Sequence, residues 1–454
     1  MFLDENYLLT NETAKKIYSK VASLPIVDPH NHADVKALAE NNPFANMWQL
    51  FAATDHYVWE VMRKCGVEEK FITGKDTSDF EKFMKLGEVF PKIAPNPCYE
   101  WIHLDLRFLG INEVLNKSTA EEIYRKGSEL LQKEENLPLN ILKRLNVESM
   151  CSTDDPIDDL EYHDIINEKL GTIIVRPTWR PDKAMKIFAP DWNNYIEKMG
   201  NKFANPINSL DKLLAYLKES HDFFNEHNCK ASDHGLEYMV CASCDYSEAA
   251  KTFDKARKFK ELSQAEIDNF MGVLMMKFGE WNRESNWVTQ LHLGAVRDVR
   301  TSLFKALGPD VGGDISYYYQ DHLQGLLNFL NAFDDSLKVV LYCLDPSQQA
   351  TLATIARAFG SKVRLGSAWW LCDTPIGMKR QLEYIGSVDL LSSFAGMVSD
   401  SRKLLSYGSR FEMFRRVMSD VLGEITEKGQ MPEEVAINLA ENMAYGTTKE
   451  FFNI

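Results

Sequence analysis

The chain has 454 residues, of which 45% are hydrophobic and 26% are charged, a composition typical of a globular protein. The formal net charge of −15 argues against binding to nucleic acid or to an anionic membrane through bulk electrostatics. No run of 18 apolar residues is present, so we expect no membrane span. The residues after Met1 lack the basic and apolar stretches of a signal peptide, and the eight cysteines are scattered. We therefore expect a cytoplasmic protein without disulfides.

The first apolar run, residues 24–32, ends in two histidines one residue apart, His30 and His32. We expect a strand here, and in a strand the side chains at positions i and i+2 point to the same face. Two imidazoles held together form half of a divalent metal site. The alternative is a surface pair in a loop, and this segment alone leaves both interpretations open.

Eight β-rich runs alternate with predicted helices along the chain. They cover residues 24–32, 147–152, 172–175, 229–234, 287–292, 338–343, 363–367 and 394–400. Alternating strands and helices predict a parallel sheet, and eight repeats predict an α/β fold of the closed (β/α)8 TIM-barrel type. Helical patterns at about residues 34–146 predict an insertion after the first strand, and those after Arg402 predict a helical tail. We expect a single domain over residues 1–454.

Asp400 ends the last predicted strand, which neighbours the first strand in a closed barrel. Because active sites of such barrels lie at the carboxyl ends of the strands, this carboxylate would face His30 and His32. Two histidines and one aspartate suit a divalent metal and leave open positions for substrate or water. Taken alone, Asp400 could instead cap the following helix.

Seven stretches in the same order make the chain resemble the uronate isomerases (glucuronate isomerases) of the amidohydrolase superfamily along essentially its full length. The stretches are residues 24–32, 54–59, 179–183, 231–235, 290–295, 366–370 and 396–402. The resemblance implies interconversion of D-glucuronate with D-fructuronate, and of D-galacturonate with D-tagaturonate. The reaction would move a proton from C2 to C1 through an enediol. The implied partner is a small uronate, and we expect a homo-oligomer.

The resemblance also implies the residues of the site. One divalent metal, which we expect to be Zn²⁺, would be bound by His30, His32 and Asp400. Catalytic roles would fall to Asp400, Tyr57, Arg402 and His56. Substrate contacts would come from Arg180, Asp233, His292, Arg297, Trp369 and Trp370. Structural roles remain as alternatives: a core tyrosine for Tyr57, a surface ion pair for Arg180, a helix position for Arg297, turn residues at Asp233, and core packing for the tryptophans.

The chemistry of the reaction fits these residue types. Proton transfer at C2 needs a carboxylate base and an acid shared by O1 and O2, and arginine pairs well with a substrate carboxylate. The sixth predicted strand, residues 338–343, lacks the histidine that two-metal hydrolases of the superfamily often carry there. This favours one metal. The alternatives are a mononuclear metal-dependent amide or lactone hydrolase of the same superfamily, and a non-catalytic protein that binds sugar acids.

Overall fold

The computed structural model describes residues 2–316 and 323–454. Nine strands lie in these residues, and seven of them belong to parallel sheets. The strands are β1 (Ile26–Asp28), β2 (Val147–Cys151), β3 (Ile174–Arg176), β4 (Ala231–Leu236), β5 (Val288–Leu293), β6 (Ala295–Val296), β7 (Ile315–Ser316), β8 (Lys338–Cys343) and β9 (Val363–Leu365). One parallel sheet has the order β1-β2-β3 and the other has the order β4-β5-β8-β9. The fold is therefore α/β with parallel sheets.

Helices fill the chain before β1 and between β1 and β2, where the sequence predicts a helical insertion. They are α1 (Glu12–Val21), α2 (Val35–Glu40), α3 (Met47–Phe51), α4 (His56–Lys64), α5 (Asp79–Val89), α6 (Pro97–Phe108), α7 (Ala120–Leu130) and α8 (Pro138–Arg144). Side chains of Asn11, Asp34, Asn46, Asp55, Ser78 and Asn96 accept hydrogen bonds from the first turns of six of them. These caps satisfy backbone N–H groups that a helix cannot pair internally.

Helices also alternate with the later strands. They are α9 (Glu161–Leu170), α10 (Asp182–Met185), α11 (Trp192–Lys202), α12 (Leu210–Glu226), α13 (Tyr246–Arg257), α14 (Gln264–Glu284), α15 (Thr301–Leu307), α16 (Leu323–Phe333), α17 (Gln349–Ala358) and α18 (Pro375–Val388). The carboxyl-terminal part is helical, as predicted, with α19 (Ser406–Glu427), α20 (Glu433–Glu441) and α21 (Thr447–Phe452). Helix α19 packs against α1, α6, α18 and α20. None of the helices in the described residues is both long and apolar enough to cross a bilayer.

Residues 394–400, predicted as the eighth strand, do not form a strand in the structure. The physical reason is a backbone that twice enters the left-handed region, at Gly396 with φ 111° and at Asp400 with φ 45°. Such dihedrals break a regular ladder. A side chain at Gly396 would also place its Cβ 1.8 Å from Oγ1 of Thr448, so glycine is required there.

The first strand is shorter than predicted, because β1 ends at Asp28 and Pro29 follows it. Proline has no N–H to donate to a ladder. His30 and His32 therefore lie in the loop after the strand, not on one of its faces.

The antiparallel β6–β7 pair was not predicted either. Two-residue strands are too short to leave a pattern in the sequence.

Backbone hydrogen bonds also join the edges of the two parallel sheets. Trp179 forms parallel bridges with Asp154, beyond β2, and with Ser232 in β4. On the other side, the Ala395 N–H donates to the Leu365 carbonyl of β9. The Asp400 N–H donates to the carbonyl of His30 beyond β1. The segments that carry Arg180 and Asp400 are thus held between the sheets.

Candidate functional site

Two histidines and an aspartate converge where β1 ends. Nε2 of His30 and Nε2 of His32 each lie 3.1 Å from the same oxygen, Oδ1 of Asp400. Zn²⁺ bonds to such ligands measure about 2.0–2.2 Å, and two ligands on one tetrahedral ion would lie roughly 3.3 Å apart. The spacing of these three ligand atoms therefore fits a shared divalent ion.

A second cluster surrounds Asp233, whose side chain is fully buried in β4. Its carboxylate lies 2.9 Å from Nη1 of Arg180, 2.7 Å from Nδ1 of His292 and 3.7 Å from Nδ1 of His30. Arg180 also donates from Nε to Asp182 at 3.2 Å. Gly235 leaves room for this arginine, because a Cβ there would lie 2.5 Å from its Nη2. His30 thus links the two clusters, with one carboxylate at each ring nitrogen.

The electrostatics of the two clusters follow from burial and from these ion pairs. Burial raises the pKa of Asp400, but hydrogen bonds from His30 and His32 outweigh it and hold that pKa well below the ordinary value. The pKa of Asp233 is likewise held well below its ordinary value, because Arg180 and His30 outweigh burial. Burial lowers the pKa of His292 to about 4. At neutral pH the site therefore contains two carboxylates and a neutral His292.

Several groups fix the orientation of the Asp400 segment. Nε1 of Trp369 donates to Oδ2 of Asp400 at 2.9 Å. Asp28, fully buried beneath the site, accepts from both the backbone N–H and the hydroxyl of Ser399, at 3.0 and 2.5 Å. Trp369 and Trp370 have positive φ values of 65° and 37°. Such a backbone conformation costs on the order of 1–3 kcal/mol of free energy for each non-glycine residue, and it persists where the surrounding structure enforces it.

His56 and Tyr57 form the first turn of α4. Oδ1 of Asp55 accepts the N–H of Tyr57 at 2.9 Å and so caps this helix. The two rings stack with their centres 4.9 Å apart. The guanidinium of Arg410 lies 4.9 Å from the centre of the Tyr57 ring. Burial raises the pKa of Tyr57 well above its ordinary value, so its hydroxyl stays protonated, and burial lowers the pKa of His56 to about 4.

A cavity of about 1320 Å³ opens above these residues. Of the predicted site residues, its wall includes His32, His56, Tyr57, Arg180, Arg297, Trp369, Trp370, Asp400 and Arg402. His30, Asp233 and His292 lie behind the wall, with exposed fractions of 1%, 0% and 2%. The structure therefore gathers every predicted site residue around one cavity, in two layers.

The arginines of the wall differ in their partners. The guanidinium of Arg297 lies 4.3 Å from the ring centre of Trp370 and donates to Asp314 at 3.0 Å. Arg402 is about one third exposed, and it lies 3.6 Å from the carboxylate of Asp310. Arg402 is therefore less tightly paired than Arg180 and is better placed to receive an anionic group.

An aromatic residue fills the space beside His292. The ring of Tyr342 lies parallel to His292 with centres 4.4 Å apart, and its hydroxyl donates to Gln290 at 2.9 Å. Gln290 in turn donates to the carbonyl of Pro29 at 3.1 Å. A Cβ at Gly366 would lie 2.0 Å from the Tyr342 ring, so glycine keeps the space that this ring occupies.

A layer of residues that support the site was not predicted from the sequence. They are Ser399, Arg410, Lys403, Asp55 and Tyr342. Asp55 and Lys403 stand next to predicted site residues, at His56 and Arg402, and that proximity was the available signal. For Arg410 and Tyr342 the sequence carries no local signal, because their contacts arise only from the packing of distant elements.

Comparisons with known proteins show which family the chain resembles in sequence and fold. A sequence model of the family described as glucuronate isomerase matches residues 1–452. The uronate isomerase of Thermotoga sp. (strain RQ2) is 49% identical over 453 residues, which cover 100% of both chains. The crystal structure of uronate isomerase from Thermotoga maritima superposes with a TM-score of 0.97 at 49% identity and 100% coverage of both chains. Glucuronate isomerase from Caulobacter crescentus has the same fold, with a TM-score of 0.94 at 24% identity, covering 99% of this chain and 97% of that one.

Proposed function

We propose roles for individual residues from one premise: the chain belongs to the glucuronate isomerase family and is a uronate isomerase, an enzyme that interconverts aldose and ketose. Its substrates, in our proposal, are D-glucuronate and D-galacturonate, which it converts to D-fructuronate and D-tagaturonate. The observation that carries the assignment of roles is the convergence of His30, His32 and Asp400 at the cavity, with His32 and Asp400 on its wall and His30 behind it. The arginines around that wall supply the positive charge that a uronate requires.

We propose that the two parallel sheets are parts of one closed (β/α)8 barrel, and that residues 1–454 form a single domain. Hydrogen bonds at both sheet edges, through Trp179 and through residues 395–401, support this architecture. The bond from Gln290 in β5 to Pro29 beyond β1 also supports it, because it links the two sheets across their interior. In a barrel, these contacts would bring the carboxyl ends of the strands around one site.

We propose that His30, His32 and Asp400 bind one divalent ion, and that this ion is Zn²⁺. Two imidazole nitrogens and a carboxylate oxygen are ligands that zinc accepts, and catalytic zinc sites keep a position open. Such an ion would act as a Lewis acid on a substrate oxygen. Asp233 and Asp28 lie where they can orient the ligands, the first at Nδ1 of His30 and the second through Ser399.

We propose that Arg180 and Arg402 bind the charged and oxygen groups of the uronate. Arginine offers a planar fork of donors that matches a carboxylate, and Arg180 is held in place by Asp233 and Asp182. Arg297 and the faces of Trp369 and Trp370 would form the wall against which the sugar lies. The buried Asp233 and His292 would act mainly by fixing Arg180 and His30.

We propose that Asp400 takes the proton from C2 and returns it to C1. Its pKa is held low by His30 and His32, so it is ionised at neutral pH and can accept a proton. Tyr57 keeps its proton, and its hydroxyl would transfer a proton between O1 and O2 as the enediol forms. His56, stacked on that ring, would hold the tyrosine in place.

The eight cysteines are free thiols, and this supports our proposal of a reducing, cytoplasmic location. We retain the homo-oligomeric state as a prediction from the family resemblance.

The purified protein should convert D-glucuronate or D-galacturonate to its ketose acid at millimolar concentration with Zn²⁺ or Mn²⁺ present. A coupled assay that reduces the ketose product would measure the rate. D-Glucose is the matched control, since it is an aldose without the carboxylate and should not react. No ketose above background from either uronate would contradict the proposed substrates.

Arg180→Lys should reduce kcat/KM by roughly ten- to a hundredfold, because a lost charge-assisted hydrogen bond is worth about 1.5–3 kcal/mol. Lysine keeps the positive charge beside the buried Asp233, so we expect the melting temperature to stay near that of the wild type. Arg257→Lys on α13, which removes a guanidinium outside the cavity wall, is the matched control. Full activity in Arg180→Lys, or its unfolding, would show that Arg180 has no substrate role of this kind.

A further inference from the structure

A lysine is buried beside the candidate site and forms an ion pair with a buried aspartate. Lys403 and its partner Asp55 are exposed by only 4% and 5%, and Nζ lies 3.0 Å from Oδ2 of Asp55. A second buried carboxylate, Asp105, lies 4.0 Å from the same Nζ. Apolar residues of similar volume often stabilise a fold as well as a buried ion pair does, so stability alone does not explain this lysine.

The two carboxylate oxygens of Asp55 have different partners. Oδ2 faces Lys403, while Oδ1 accepts the backbone N–H of Tyr57 at 2.9 Å. Lys403 is fixed relative to Asp400 by a tight turn, in which Oγ of Ser401 accepts the Lys403 N–H at 3.0 Å and donates to its carbonyl at 3.2 Å. A continuous chain of polar contacts therefore connects the Asp400 segment to the first turn of α4.

Arg410 makes a second connection between the same two elements. Its Nη1 donates to the carbonyl of Ser399 at 2.7 Å, and its guanidinium lies over the ring of Tyr57. Two buried cations thus join residues 399–403 to Tyr57. Since burying a cation is costly, two such connections at one place indicate that the relative position of these elements matters.

We infer that Lys403 and Asp55 are positioning residues that hold Tyr57 in register with Asp400 across the cavity. This inference rests on the proposed role of Tyr57 in proton transfer. Catalytic groups misplaced by about 1 Å can cost on the order of a hundredfold in rate, even when substrate still binds. The ion pair would therefore act on kcat more than on KM.

The test compares two substitutions around one lysine. Asp55→Asn retains a good helix cap for α4 but loses the charge that holds Lys403, which can then pair with Asp105. We expect kcat to fall by about ten- to a hundredfold, with a smaller change in KM and a melting temperature near that of the wild type. Asp105→Asn leaves the Lys403–Asp55 pair intact and should keep the wild-type kcat.

Combination with Tyr57→Phe separates this inference from the proposed function on which it rests. In a chain that already lacks the tyrosine hydroxyl, adding Asp55→Asn should reduce kcat by much less than it does in the wild type, because both changes remove the same contribution. Fully additive losses, or equal effects of Asp55→Asn and Asp105→Asn, would overturn the positioning role. Wild-type activity in Tyr57→Phe would instead overturn the proposed role of Tyr57, and the inference with it.

Discussion

Asp400→Asn is expected to reduce kcat by about 10²–10⁴-fold or more, because an amide cannot accept the C2 proton. Asparagine keeps the shape of the side chain and one oxygen that could still contact a metal. The Trp369 N–H and the backbone around residue 400 also keep their geometry, so we expect substrate binding to be largely retained. Rates and KM values with D-glucuronate would measure both effects.

Proton exchange at C2 gives the sharper measurement for this residue. In deuterated water the wild-type enzyme should introduce deuterium into the uronate, and proton NMR would follow the loss of the C2 signal. Asp345→Asn is a control, since Asp345 is a buried aspartate that lies after β8 and outside the cavity wall. Exchange by Asp400→Asn at the wild-type rate would mean that another group is the base.

Replacing His30 and His32 together by alanine should abolish metal binding. Metal analysis of the purified wild type should find about one divalent ion per chain, as one site with three protein ligands requires, and the double variant should contain almost none. Its activity should fall by more than the roughly 10–100-fold typical of residues that only support a ligand. Added Zn²⁺ should raise the melting temperature of the wild type and not that of the variant.

His227→Ala is the matched control for that experiment, because it removes an imidazole at the end of α12, outside the cavity wall. It should keep the wild-type metal content. Equal metal content in the wild type and in the double variant would show that the ion, if bound, lies elsewhere.

The strand–helix pattern predicted all seven strands of the two described parallel sheets, since β-branched runs between helices leave a clear signal. It did not predict that residues 394–400 would be irregular, because a positive φ at Asp400 is set by tertiary contacts and not by local preference. Regular sequence patterns thus indicate where the site lies but not its detailed structure, because the irregular segment carries the proposed metal ligand.

Candidate site residues could be proposed from the sequence where they belong to recognisable stretches, as His30, His32 and Arg180 do. The contacts among these residues could not be predicted from the sequence. The Arg180–Asp233 ion pair joins residues 53 positions apart, and nothing in either local segment predicts that the arginine is bound by the protein's own carboxylates. The Lys403–Asp55 ion pair could not be predicted either. Sequence patterns indicate which face of a helix or strand is buried, but they do not indicate which distant group lies opposite that face.

The stacking of Tyr342 on His292 limits how such a site could be redesigned. A histidine ligand on β8 at position 342 would have to replace Tyr342, whose ring stacks on His292 and is accommodated by Gly366 on the next segment. A histidine at position 342 would also remove the hydroxyl that donates a hydrogen bond to Gln290, and it would leave a void beside Gly366. A metal ligand at position 342 therefore requires coordinated changes at Gln290 and Gly366, which lie on two neighbouring segments.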